Sequence, residues 1–110
     1  MPVRRHASVF RAIADETRRD LLELLGAGER EFAELAAGFP MSKPAVAQHL
    51  KVLLDAGLVA VRHEGRAARY RLNSAPLEGV SEWAARVRSF ADPSGHVWNV
   101  RGRRRQARKT

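Results

Sequence analysis

Cysteine is absent from this sequence, which excludes disulfides and thiolate-bound metals. The few aromatic residues, 6% of the chain, leave its basic segments without the stacking side chains that single-stranded RNA asks for. No apolar run approaches the ~20 residues of a membrane helix. The opening MPVRRHASVF carries basic residues but not the long apolar stretch of a secretory signal. A cytoplasmic protein without a membrane partner is therefore expected. Also missing are a phosphate-cradling glycine motif, a cysteine nucleophile and a supported Ser/His/Asp arrangement, so an enzyme is not expected.

The most informative absence is of one sign of charge. Seven of the twelve acidic residues lie between Asp15 and Glu34, and then none occurs until Asp55. An ordinary surface helix mixes both signs on its wet face, whereas this interval is prepared for something negative. The formal charge of +8 belongs mostly to the last ten residues, RGRRRQARKT, which hold six basic side chains. Without those six the first 100 residues carry only +2. Arginine supplies 17 of the 20 basic residues, which also fits an arginine-rich genome, so position counts for more than number.

What is present suits one domain of 110 residues, with 45% hydrophobic and 29% charged residues. Val9, Phe10 and Ile13 mark a short first helix, and Asp15 is placed to cap a second whose apolar face is Leu21, Leu22, Leu24 and Leu25. Gly26 and Gly28 end it, and a brief third helix holds Phe32, Leu35 and Ala36. Ser42 then starts a fourth helix, with Lys43 and Pro44 as its first two residues. Proline is tolerated there because first-turn amides have no intrahelical acceptor. The cap oxygen must bond the Ala45 amide, since Pro44 has none to offer. Val46, Leu50, Leu53 and Leu54 form its inner face and Gly57 its end. Leu58 to Leu72 read as a hairpin about Glu64-Gly65, decorated by Arg62, Arg66, Arg69 and Arg71. Ser74 is expected to cap a last helix running to Asp92, with Leu77, Val80, Trp83, Ala84, Val87 and Phe90 at helical spacing. The domain is expected over residues 1–92, with 93–110 a basic tail.

Short helices, a tight turn, a basic helix and a basic hairpin describe a mostly α winged helix-turn-helix, with about five helices and a two-stranded wing. The segments IADETRRDLLELL, EFAELAAGF, MSKPAVAQHLKVLLDAGLV and HEGRAARYRL also resemble the ArsR-type bacterial transcriptional regulators, from Val9 to Phe90. That resemblance implies a dimeric repressor joined through its first and last helices, here Val9, Phe10 and Ile13 with Val80, Trp83, Val87 and Phe90. Two-fold symmetry then implies a pseudo-palindromic operator. Glu16 departs from the family's usual proline, and either suits a first helical turn. The Cys-x-Cys of family members that sense thiophilic metals falls here on Glu31 and Ala33, and the last helix has no histidine for zinc. No metal site, no cofactor and no identifiable effector is expected.

In the fourth helix, Gln48 can pair with adenine, Lys43 can reach guanine, and Pro44 or Ala47 can touch thymine methyls. Ser42 and Lys51 are suited to phosphates. Arg62 and Arg66 are the wing candidates for minor-groove or phosphate contact. His49, between the inner and outer arcs, reads as a satisfied, partly buried histidine. The competing reading is a winged helix used as a protein-interaction module, but such a groove face should present apolar anchors where Lys43, Gln48 and Lys51 stand.

Overall fold

The computed structural model describes residues 8–90, beginning in a helix, α1, at residues 8–12. There follow α2 (Glu16–Gly26), β1 (Arg30–Glu31), α3 (Phe32–Ala37), α4 (Lys43–Asp55), β2 (Val59–Glu64), β3 (Ala67–Leu72) and α5 (Leu77–Arg88). The strands form one antiparallel sheet in the order β1-β3-β2. None of the described helices is long and apolar enough to cross a membrane.

Local chemistry sets the helix starts. Asp15 stays extended (φ −99°, ψ 134°) and its carboxylate accepts from the Arg18 amide at 3.0 Å. That bond, opposed by partial desolvation and helped by nearby positive groups, holds the Asp15 carboxyl below its ordinary value of 3.8. The ionised cap therefore stabilises the fold above that value, and the contribution is lost as pH falls through the lower folded-state value. Asp15→Ala is expected to cost about 1 kcal/mol at neutral pH. In urea melts the gap between wild type and variant should close as the pH is taken below 3.8. A gap that stays constant over that range would contradict the cap's role.

Burial joins the elements. Leu21 from α2, Leu35 from α3, Leu50 and Leu53 from α4, and Leu58 before β2 are each at most 1% exposed. Burying a leucine is worth about 1.5–3 kcal/mol, so these five side chains fix α4 against the rest of the domain. Val9 (1% exposed) and Ala12 (0%) bring α1 into the same core. Val9, expected at the seam, is buried in the core of its own chain.

The hairpin differs from expectation by one residue. Glu64 pairs with Ala67 in the ladder, so the loop is Gly65-Arg66, and Gly65 takes the positive φ (60°) of a tight hairpin's first loop position. Val59, Tyr70 and Leu72 pack toward the core. Strand alternation then puts Arg62 and Arg69, direct cross-strand partners, on the outer face. The third strand, β1, was not expected, since two residues carry no periodicity to read.

The last helix starts and stops within the expected limits. Its N-cap is Pro76, without a side-chain bond, and Ser74 contributes only its carbonyl, which accepts from the Leu77 amide at 2.9 Å. Asn73 anchors that approach by donating its side-chain amide to the Gly57 carbonyl at 2.8 Å. The helix ends at Arg88 rather than Asp92, because the Ser89 hydroxyl and amide both donate to the Arg86 carbonyl, at 2.6 and 3.2 Å. Asp92 and the basic segment after it lie outside the described residues.

Candidate nucleic-acid interface

The Ser42 cap forms as its sequence requires. Its backbone is extended (φ −68°, ψ 155°) and Oγ accepts from the Ala45 amide at 3.2 Å, past the proline. Val46, Leu50 and Leu53 bury one side of α4, while Ser42, Lys43, Pro44, Ala47, Gln48 and Lys51 are all exposed. These six residues share one outward face. A helix of 13 residues is about 20 Å long, and a B-DNA major groove about 12 Å wide admits one. Lys43 and Gln48 have no side-chain partner among the described residues. Lys51 pairs with Asp55 at 3.2 Å, an exposed contact one helical turn away. Such pairs are worth about 0.3–0.5 kcal/mol, so Lys51 is readily exchanged to a phosphate.

The half-buried His49 lies at the back edge of this face, with Nδ1 3.2 Å from Arg18 Nη1. Asp15 Oδ2 lies 3.9 Å from the same nitrogen, so the ring sits between the Arg18 guanidinium and the cap of α2. Arg18 also donates from Nε to the Ala12 carbonyl at 2.7 Å and from Nη2 to the Arg11 carbonyl at 3.1 Å. One side chain of α2 thus closes the end of α1 and braces α4. Sequence reading missed it, since its partners lie 6, 7 and 31 residues away.

The two wing candidates have different surroundings. Arg66 is exposed in the hairpin loop and unpaired among the described residues. Arg62 is held by Glu29 Oε2 at 3.1 Å and Glu64 Oε2 at 3.2 Å. Those carboxylates, Glu29 first, raise the Arg62 guanidinium further above its ordinary range. Reciprocally, the hydrogen bond from Arg69 and the charge of Arg62 hold the Glu29 carboxyl below the usual carboxylate value. Glu29 was not singled out from sequence, and Glu31 only as a position aligned with the family's Cys-x-Cys.

At the far side of the domain α5 has no buried residue. Trp83 meets Phe10 edge to face, with centroids 5.4 Å apart and rings at 76°. Trp83, Val87 and Phe90 are nevertheless 46%, 48% and 78% exposed, and Phe10, Ile13 and Val80 are half-buried beside the core. Glu78 and Glu82 line a groove of about 590 Å³ with Asp55. Among the described residues no three histidine or carboxylate groups converge as a metal site.

Known proteins share this arrangement. A family model described as a helix-turn-helix domain matches residues 13–62. The transcriptional repressor SdpR of Bacillus subtilis is 36% identical over 76 residues, covering 69% of this chain and 84% of that protein. An arsenical resistance operon repressor of Staphylococcus aureus is 32% identical over 74 residues, covering 67% of this chain and 71% of the relative. A solved ArsR-like transcriptional regulator from Rhodococcus sp. RHA1 superposes with a TM-score of 0.71 at 38% identity, covering 77% of this chain and 78% of that one. The family model spans α2, α3 and the capped α4 and ends within β2, and with these relatives the chain belongs to the ArsR family of winged helix-turn-helix transcriptional regulators.

Proposed function

We propose that this chain is a homodimeric transcriptional repressor that binds a pseudo-palindromic DNA operator and needs no metal to do so. The observation that carries the reading is the outward face of α4, where Lys43 and Gln48 stand unpaired beside Pro44 and Ala47. Those side chains suit base edges and thymine methyls, while Ser42, Lys51 and the wing's Arg66 suit phosphates. Arg62, expected beside them, is instead held by Glu29 and Glu64. An apolar partner protein would find little to bury on this face, which weighs against a protein-interaction module.

The dimer rests on α5. Ile13, Phe10, Val80, Trp83, Val87 and Phe90 form an apolar surface beyond what the core covers, and a second copy of the same surface is its natural complement. The named role of SdpR supports repression. One relative is named for arsenical resistance, but a chain without cysteine has no thiolate for a soft metal.

Selection of genomic fragments by the purified full chain tests this reading. Recovered fragments should share a pseudo-palindrome whose half-sites lie about one helical turn, roughly 34 Å, apart. Added arsenite or zinc should leave the selected set unchanged. Recovery of fragments with no common motif would leave only non-specific attraction and sink the proposal.

A further inference from the structure

A row of five charged side chains crosses the outer face of the sheet, apart from the reading face of α4. Arg62 and Arg69 sit directly opposite each other in the β2–β3 register. Like charges in that relation repel. Glu29, just before β1, separates them: Oε2 accepts from Arg62 at 3.1 Å and Oε1 from Arg69 at 3.3 Å. Glu64 takes the other end of Arg62 at 3.2 Å, and Glu31 takes Arg69 at 3.4 Å. Three carboxylates therefore face two guanidiniums, and a sheet face that looks basic in sequence is not basic in the fold. On the hairpin only Arg66 and Arg71 are without a carboxylate among the described residues.

The place of this cluster matters for DNA. Arg62 precedes the hairpin loop by three residues, a strand length of about 10 Å, so it lies just behind the part of the wing nearest a duplex read by α4. Free arginines there would add phosphate contacts, and phosphate contacts raise affinity for every sequence alike. The specificity ratio falls when that general term grows.

We infer that Glu29 is a specificity-determining counter-ion, which withholds Arg62 and Arg69 from DNA phosphates and so leaves discrimination to the base contacts of α4. The inference rests on the DNA-binding reading above and deepens it. The device is a modest one. Exposed ion pairs are individually weak, and a duplex phosphate competes with Glu29 for the same guanidinium. Glu29 thus sets how much of the wing's charge reaches DNA without touching DNA itself.

Glu29→Gln keeps the side chain's shape and removes its charge. Fluorescence anisotropy of the full chain, on a selected operator and on a scrambled duplex across a salt series, reads the consequence. Affinity for the scrambled duplex should rise about three- to tenfold, and the salt slope should steepen by about one to two counterions per protomer. Affinity for the operator should rise less, so the ratio of the two falls. Glu23→Gln makes the same change in net charge at an exposed α2 position unpaired among the described residues, and should leave the slope where it was. Combined with Arg62→Ala and Arg69→Ala, Glu29→Gln should have no further effect. Should Glu29→Gln fail to fold by circular dichroism, Glu64→Gln frees the other end of Arg62 and should move the slope the same way by less. The inference is overturned by an unmoved slope, by an equal gain in Glu23→Gln, or by a gain that persists without the two arginines. Those outcomes differ from failure of the underlying reading, in which the wild-type chain itself binds no duplex.

Discussion

Trp83→Arg is expected to turn the protein into a monomer and to lower its operator affinity by about 10²–10⁴-fold. Trp83, Val87 and Phe90 recur at helical spacing on α5, and each is about half exposed or more. α5 has no fully buried residue, and what it packs on the core is Leu77 and Val80, so the more exposed stripe has little use inside the domain. Arginine at its centre places an unpaired charge in the seam, which is far costlier there than in water. The protomer should survive, because its core is built from α1 to β2 and does not include Trp83. The local loss is the edge-to-face contact with Phe10, worth about 0.5–1.5 kcal/mol. Binding falls because two half-sites are no longer engaged by one linked pair of reading helices. Light scattering and operator titration should move together, and a monodisperse dimer with unchanged affinity would show that the seam lies elsewhere.

Sequence discloses those parts of this protein whose causes are local. A serine followed by proline one place into a helix leaves one amide for the cap oxygen, and Ser42 bonds it. Apolar spacing in α4 leaves one outward face, and the six residues named for it are all exposed. Asp15 caps α2 for the same kind of reason. Failures of local reading were local competitions. Pro76 displaced Ser74 at the start of α5, Ser89 stopped that helix early, and one extra ladder pair moved the hairpin loop to Gly65-Arg66.

Long-range placement was not legible. Val9 and Phe10 are neighbours in one helical turn, yet the first is core and the second half-exposed, a difference set by what α2 and α4 place above them. The Glu29 cluster joins residues 33 and 40 positions apart. Its existence depends on β1 pairing with β3, and a strand of two residues announces nothing in sequence. Arg62 therefore reads as a free cation in sequence and is a paired one in the fold. Arg18 shows the same limit, since only the packing of α1 and α4 on α2 brings its three partners within reach.

That the outward face of α4 reads base edges is the central claim, and a base-substitution scan of the selected operator tests it most directly. Affinities of the wild type, Gln48→Ala and Lys43→Ala would be measured for every single-base variant and for a scrambled duplex. Gln48 is exposed, unpaired among the described residues and one turn beyond Pro44 on the same face, so truncation should leave the fold intact. Gln48→Ala is expected to lose about 1–3 kcal/mol, roughly 5- to 150-fold, on the intact operator. It should also become indifferent to the base at one position in each half-site, an adenine in the wild-type site, while its affinity for the scrambled duplex stays the same. Lys43→Ala should relax a different position. Scans for both variants that superimpose on the wild type, or that fall by one common factor on operator and scrambled DNA alike, would contradict base reading by α4.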